Sequence, residues 1–195
     1  MTDSLLIERI RPEHAGRFFD AVQSAAPQIA SWIGSHNAPP TMEDVRSFIR
    51  EWDEAWESGE RYGFFAREES ADACVGFGLL NSIHPRYRIA NLGYWIRPES
   101  AGRGFATELA RQVARFAFDE LDLVRVELVI EPTNTASRRV AEKLGARQEG
   151  LLRNRLTING EVRDALMYGL VPEDLKVVSG GPGAGYKSVE KRTLC

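Results

Sequence analysis

The sequence predicts a single α/β domain with a mixed, mostly antiparallel central sheet. Three strand-like runs, Tyr62–Arg67, Val75–Asn81 and Ile89–Ile96, are rich in β-branched and aromatic residues and joined by short connections. This arrangement is typical of an antiparallel meander. A long helical pattern over about 104–120 and the strand-like run Arg125–Ile130 follow. Strand, helix and strand in that order predict a right-handed parallel crossover, a βαβ unit.

A helix and a hairpin are expected after the βαβ unit. The pattern over 134–144 predicts a shorter helix that ends at Gly145. Two further strand candidates, over 146–156 and 162–170, flank the hairpin-type turn Asn159-Gly160. They are expected to extend the sheet beyond the βαβ unit.

Composition sets the size of the domain and excludes several classes of partner. The chain has 195 residues, 43% of them hydrophobic and 27% charged, which fits one ordinary domain with a core and a cleft. The formal net charge is −3, so no basic field favours nucleic acid. Cys74 and Cys195 lie far apart in the sequence and suggest neither a disulfide framework nor a metal site.

The two ends of the chain carry separate expectations. The start lacks the pattern of a signal peptide, and no segment is apolar enough to span a bilayer, so we expect a cytoplasmic protein without membrane contact. Residues 1–175 are predicted to form the domain. Residues 176–195 include the run SGGPGAGYKSVEKRTLC, which is rich in glycine and is predicted to be a flexible tail.

Two helices are expected in the first third of the chain. A helix is predicted to begin near Pro12–His14 and to end by Pro27. A second helix is predicted to start at Thr41, because Asp44 completes a capping box. Its apolar stripe consists of Val45, Phe48, Ile49, Trp52 and Trp56. The stripe has two interpretations: a core contact under a solvated acidic face, or tryptophans that wall an acceptor cleft.

The segment 97–108 predicts an anion-binding site. A strand ends at Pro98, a loop carries Gly102 and Gly104, and a long helix begins. Glycines let a ligand approach the backbone closely, and the free N–H groups at a helix start favour negative charge. A pyrophosphate is the natural occupant. A plain tight turn and a dinucleotide-binding loop with Glu131 as its acidic residue remain alternatives.

The segment 131–145 carries a second candidate group. Asn134 follows the strand end closely and is a suitable helix cap. Ser137 shares one predicted helix face with Val140, Ala141 and Leu144, so a hydroxyl is expected on the inward face. A small serine bonded to its own helix backbone is the structural alternative.

Together these elements resemble the GCN5-related N-acetyltransferase (GNAT) superfamily over residues 5–172. The runs Gly93-Tyr-Trp-Ile-Arg-Pro-Glu and Asp164-Ala-Leu-Met-Tyr168 resemble its ribosomal-protein N-terminal, or Rim-type, branch. The resemblance implies the GNAT fold, in which the βαβ unit binds acetyl-CoA, and transfer of acetyl from acetyl-CoA to a primary amine without a metal. The implied acceptor is the N-terminal α-amine of a ribosomal protein, and a homodimer is an open expectation.

The resemblance also implies roles for particular residues. Ser137 would lie near the thioester sulfur, where it would donate a proton to the departing thiolate or orient it by a hydrogen bond. The pantetheine arm would pair with the strand end, and the pyrophosphate would lie on the amides of the glycine loop. The coenzyme-binding residues implied are Ile96, Arg97, Ala101, Gly102, Arg103, Gly104, Phe105, Ala106, Thr107 and Asn134. The cations Arg103, Arg138, Arg139 and Lys143 are candidates for the nucleotide phosphate.

The sequence departs from the family at two places. Ala101 stands where the superfamily often has Gln or Arg, which removes a side-chain contact to phosphate. No carboxylate occupies the central strand, and a base is unassigned among His84, Glu149, Asp164 and ordered water. A weak base favours an α-amine, whose pKa is near 8, over lysine at about 10.4.

Three alternatives to the α-amine transferase stay open. The first is acetylation of a small amine such as a polyamine or an aminoglycoside. The second is an acyl-CoA-binding sensor without catalysis, which the missing base would explain. The third is a dinucleotide-binding module.

Overall fold

The computed structural model describes residues 4–33 and 40–177. The strands among them are β1 (Leu5–Arg9), β2 (Tyr62–Glu68), β3 (Cys74–His84), β4 (Ile89–Ile96), β5 (Arg125–Ile130), β6 (Arg147–Ile158) and β7 (Glu161–Leu170). The helices are α1 (Ala15–Ile33), α2 (Met42–Ser58), α3 (Phe105–Asp119), α4 (Thr135–Leu144) and α5 (Pro172–Val177). Short 3₁₀ turns cover Pro12–His14 and Pro98–Ser100.

The seven described strands form one sheet in the order β1-β2-β3-β4-β5-β7-β6. Only β4 and β5 run parallel, and every other neighbouring pair is antiparallel. The α3 crossover between β4 and β5 explains this exception, because parallel neighbours need a long connection. The predicted mixed sheet with one βαβ unit is therefore confirmed.

Both faces of the sheet are covered by helices. Successive residues of a strand point to opposite faces, and the neighbours Phe64 and Phe65 of β2 belong to different core clusters. Phe64 packs in the larger cluster with Leu109 and Val113 of α3. Phe65 packs in the smaller cluster with Phe18 of α1 and residues of α2. A sheet covered in this way leaves little room for a ligand except where two strands separate.

The predicted end of the first helix at Pro27 is wrong. Helix α1 continues through Pro27 to its last residue, Ile33. A proline removes one backbone hydrogen bond inside a helix. Ala21 and Ala25 before the proline are fully buried, and the apolar spacing continues past it to Ile29 and Trp32, which line a cavity.

Helix α2 contributes to the core. Thr41 caps it through the expected box, in which Thr41 accepts from the Asp44 N–H and the Asp44 carboxylate accepts from the Thr41 N–H. Trp52 lies against Phe77 and Trp56 against Phe116, with ring centroids 5.4 Å apart in each pair. Both tryptophans are buried. The interpretation in which they wall an acceptor cleft is wrong, because both rings are buried among core side chains.

The end of the domain contains an element that the sequence analysis did not anticipate. Helix α5 follows β7, and Leu175 is buried in the larger core cluster. The Asp174 carbonyl lies so close to Gly145 that a Cβ there would be 3.0 Å from it. Residues 178–195 of the predicted tail lie outside the described residues. No described helix combines the length and the apolar character needed to cross a membrane.

Candidate active site

The parallel strands β4 and β5 separate in the middle of the sheet. Their register runs from Ile89↔Arg125 to Asn91↔Glu127 and stops there. Beyond this point β4 continues along β3 as far as Ile96, while β5 continues along β7 as far as Ile130. The two strands thus leave a wedge whose edges carry backbone groups without a strand partner, which can bind an extended ligand.

The direction of the free backbone groups follows from the pairing with β3. The Arg97 N–H donates to the Val75 carbonyl on β3 at 2.9 Å. Since successive backbone groups point to opposite sides of a strand, the Ile96 N–H points towards the wedge. A donor is therefore available at the open end of β4.

The glycine loop and the start of α3 lie at the wide end of the wedge. Gly102 and Gly104 have φ values of 78° and 86°, a left-handed conformation that other residues adopt only with strain. No side chain caps α3, and residues 101–104 are exposed. The free N–H groups at the start of this 15-residue helix can therefore bind an anion from solvent.

Helix α4 supplies the polar side chains of the opposite wall. Asn134 caps it, because the Asn134 Oδ1 accepts from the Ser137 N–H at 3.0 Å. This hydrogen bond fixes the first turn and with it the position of the Ser137 side chain, which is half-buried. Val140, Ala141 and Leu144 of the same face are buried, as the helical spacing predicts.

A cavity of about 530 Å³ joins these elements. Most of the predicted site residues line it: Ile96, Ala101, Gly102, Gly104, Phe105, Ala106, Thr107, Asn134 and Ser137. They come from a strand end, a loop and two helix starts that are far apart in sequence. The fold thus brings the two candidate segments together at one site.

Two predicted coenzyme residues, Arg97 and Arg103, have side chains directed away from the cavity. The Arg97 Nε donates to Glu99 at 3.1 Å, and its Nη1 donates to the Cys74 carbonyl at 3.4 Å. Arg103 pairs with Glu68 and lies over the Phe105 ring. Neither residue lines the cavity.

Of the other three candidate cations, two line the cavity and one does not. Arg139 and Lys143 line the cavity, whereas Arg138 donates to the Pro132 carbonyl at 3.4 Å. Arg139 and Lys143 are consequently the basic side chains best placed for a phosphate group.

Several lining residues were missed by sequence reasoning. Three of them, Gln28, Ile29 and Trp32, belong to the part of α1 that follows Pro27. A helix predicted to end at Pro27 does not include the cavity wall that they form. The spacing Ala25, Ile29, Trp32 carried the signal. Tyr94 also lines the cavity, and its sequence signal is the run Gly93-Tyr-Trp-Ile-Arg-Pro-Glu, which does not by itself indicate a site residue.

The candidate bases have other partners. His84 stacks on Tyr87 with ring centroids 4.3 Å apart. The Glu149 carboxylate binds the Arg125 guanidinium at two points, and this hydrogen-bonded pairing lowers the pKa of Glu149. Asp164 accepts from the Asn154 N–H at 2.9 Å. None of the three lines the cavity, and among the described residues no three His, Cys, Asp or Glu side chains are grouped as metal ligands would be.

A wedge between parallel strands, with an anion site at its wide end and a hydroxyl on its wall, defines a class of protein that binds an extended phosphate-bearing ligand. Residues 4–147 match the acetyltransferase (GNAT) domain model. The chain belongs to the GNAT family and is an acetyl-CoA-dependent N-acetyltransferase. The dinucleotide-binding interpretation of the glycine loop is therefore wrong.

Individual relatives agree with this family. "Probable N-acetyltransferase YjcK" of Bacillus subtilis is 35% identical over 69% of this chain and 75% of its own. "Putative ribosomal N-acetyltransferase YdaF" of the same organism is 26% identical over 89% of this chain and 94% of its own. A solved structure described as a "putative ribosomal-protein-serine acetyltransferase" from Vibrio cholerae has a TM-score of 0.73 and 26% identity, and the match covers 88% and 96% of the two chains.

Proposed function

We propose that this enzyme transfers acetyl from acetyl-CoA to the N-terminal α-amine of a protein, most simply a ribosomal protein, with Ser137 as its catalytic residue. The observation that carries the proposal is the makeup of the cavity. Coenzyme-type elements and Ser137 form one side, α1 and Trp95 form the other, and no Asp or Glu occurs among its described lining residues.

The cavity fits the coenzyme in two respects. The free Ile96 N–H and the neighbouring edge of β4 suit the amides of a pantetheine arm, which pair with a strand edge as another strand would. The start of α3 and the side chains of Arg139 and Lys143 suit the phosphates. In this arrangement Arg97 and Arg103 contribute through their backbone.

The reaction needs little beyond positioning and hydrogen bonding. The amine nitrogen forms a bond to the acetyl carbon, the carbon–sulfur bond breaks, and the electron pair leaves with the sulfur. The amine proton passes to solvent. In this proposal a backbone N–H of β4 near Ile96 polarises the carbonyl, and Ser137 donates to the developing thiolate; one such donor contributes about 3 kcal/mol in other enzymes.

The described lining of the cavity contains no carboxylate, which favours an acceptor amine with a low pKa. An α-amine has a pKa of about 7.7–8.0 and is partly neutral at physiological pH, whereas lysine at about 10.4 needs a base. A polyamine carries several positive charges, and the described lining of the cavity offers no carboxylate to bind them. The names of the similar Bacillus subtilis and Vibrio cholerae proteins support a ribosomal acceptor.

The test is free-thiol release from acetyl-CoA with ribosomal-protein N-terminal peptides, a polyamine and an aminoglycoside. We expect release with one class of peptide and a roughly 10- to 100-fold lower kcat in Ser137→Ala. Ser47→Ala, on α2 and outside the cavity lining, is the matched control and should keep the wild-type rate. Acetylation of the polyamine or the aminoglycoside alone would reject the α-amine acceptor, and a full rate in Ser137→Ala would reject the role of Ser137.

A further inference from the structure

Tyr94 presents a hydroxyl for which the described structure offers no partner. It lies on β4, packs partly against the larger core cluster, and lines the cavity. Its hydroxyl oxygen is buried without a hydrogen bond to any described residue. A buried polar atom without a hydrogen bond is costly, which indicates a functional reason for its position.

Ser137 is a polar side chain near this hydroxyl. Both residues line the same cavity, one from β4 and one from the first turn of α4. Burial raises the pKa of Tyr94 to about 12, and the Ser137 side chain is close enough to oppose that rise. The Tyr94 hydroxyl therefore keeps its proton at neutral pH and is a donor.

We propose that Tyr94 is a positioning residue for Ser137: its hydroxyl donates to the Ser137 Oγ and directs the proton of Ser137 towards the sulfur of the departing thiolate. This inference rests on the proposed function, in which Ser137 is the group that contacts the sulfur. Tyr94 keeps its own proton throughout. The carbon–sulfur bond breaks, its electron pair stays on sulfur, and the Ser137 O–H stabilises the resulting charge.

The need for a second hydroxyl follows from the place of Ser137 in the helix. A serine hydroxyl has one proton, and in a helix it can turn back to a carbonyl three or four residues earlier. Those carbonyls belong to Asn134 and Thr133. A donor that occupies one lone pair of the Ser137 Oγ polarises the hydroxyl, and hydrogen bonds in such a chain strengthen one another. Tyr94 is placed to supply that donor from the opposite wall.

The experiment compares four proteins in the same assay: wild type, Tyr94→Phe, Ser137→Ala and the double variant. The acceptor is whichever amine the wild type acetylates fastest. Tyr87→Phe removes the same hydroxyl from an exposed tyrosine and is the matched control. Melting temperatures establish that each variant is folded.

We expect Tyr94→Phe to lower kcat by about 5- to 20-fold with little change in the KM for acetyl-CoA, and Tyr87→Phe to leave both constants unchanged. The double variant should be about as slow as Ser137→Ala alone, because the effects of two residues that act as a unit are not additive.

A double variant whose loss of kcat is the product of the two single losses would overturn the proposal, as would a Tyr94→Phe variant with a raised KM and an unchanged kcat. A full rate in Tyr94→Phe beside a slow Ser137→Ala would reject the role of Tyr94 alone. A full rate in Ser137→Ala would reject the role of Ser137, and this inference with it.

Discussion

Arg103 and Glu68 form a two-point ion pair that ties the glycine loop to the end of β2. The Arg103 Nη1 lies 3.1 Å from one Glu68 oxygen, and the Nη2 contacts the other. Glu68 is nearly buried, whereas the Arg103 side chain is 40% exposed. The guanidinium also covers the Phe105 ring. The pair therefore restrains a loop that is otherwise exposed to solvent.

Removing the charge of Glu68 should weaken coenzyme binding. In Glu68→Gln the loop loses the charge of this ion pair, so its amides have to be ordered when the coenzyme binds. We expect a roughly 3- to 10-fold higher KM for acetyl-CoA with a nearly unchanged kcat. Glu69→Gln, at the exposed neighbouring position, should leave both constants unchanged. Equal effects of the two substitutions would show that the ion pair does not position the loop.

A substitution at Gly104 should reduce affinity through the backbone. A Cβ at Gly104 would meet no atom within 4 Å, but the φ of 86° strains any other residue. Such strain costs about 1–3 kcal/mol, and relief of it moves the amides that face the anion. For Gly104→Ala we expect a roughly 10-fold or greater rise in the Kd of CoA, measured by calorimetry.

The matched control for that measurement is Gly16→Ala. Gly16 lies in α1, where a Cβ has open space and φ is not positive. This variant should bind CoA like the wild type and be slightly more stable. Wild-type affinity in Gly104→Ala would show that the glycine loop does not bind the coenzyme.

His14 should make stability depend on pH just below neutrality. It stacks on Phe65 with centroids 4.3 Å apart, and its Nδ1 accepts from the Arg11 N–H. Burial lowers the pKa of His14 below 6.5, although Glu8 opposes the shift. The unfolded chain therefore binds more protons than the native protein as the pH falls through 6.5, and stability decreases.

We expect the melting temperature to drop by a few degrees between about pH 7 and pH 5.5, and the drop to be smaller in His14→Gln. His84→Gln alters an exposed histidine and serves as the comparison. A pH profile that is identical in wild type and His14→Gln would contradict this assignment.

Cys74 should be unreactive in the native enzyme. Its side chain is buried, and burial raises the pKa of the thiol to about 12. Thiolates rather than thiols attack disulfide reagents, so little reactive form exists at pH 8. In Cys195→Ser we expect no labelling by an aromatic disulfide in buffer and one labelled thiol in denaturant. Fast labelling in buffer would contradict the burial of Cys74.

Much of the fold was predictable because local patterns and packing agree. Strands Ile89–Ile96 and Arg125–Ile130 have the predicted bounds, since their β-branched and aromatic residues favour a strand. The cap at Asn134 and the end of α4 at Gly145 were also predicted, because both depend on neighbouring backbone groups. The coenzyme roles of the loop residues and of Ser137 stay predictions.

The features that the sequence did not predict depend on contacts between distant parts of the chain. A proline inside a helix is unfavourable locally, and yet α1 continues through Pro27 to Ile33. The direction in which Arg103 extends depends on Glu68, which lies 35 residues earlier in the chain. No local sequence pattern predicts an ion pair between residues so far apart.

The sequence by itself determined the order of the strands and helices, the βαβ unit and the glycine loop, because each depends on residues within a few positions of one another. The tertiary structure decided which side chains face the wedge, that Trp52 and Trp56 are core, and that Tyr94 and Ser137 line one cavity. These contacts join strands and helices that are distant in the chain, and their geometry is set only when the sheet separates between β4 and β5.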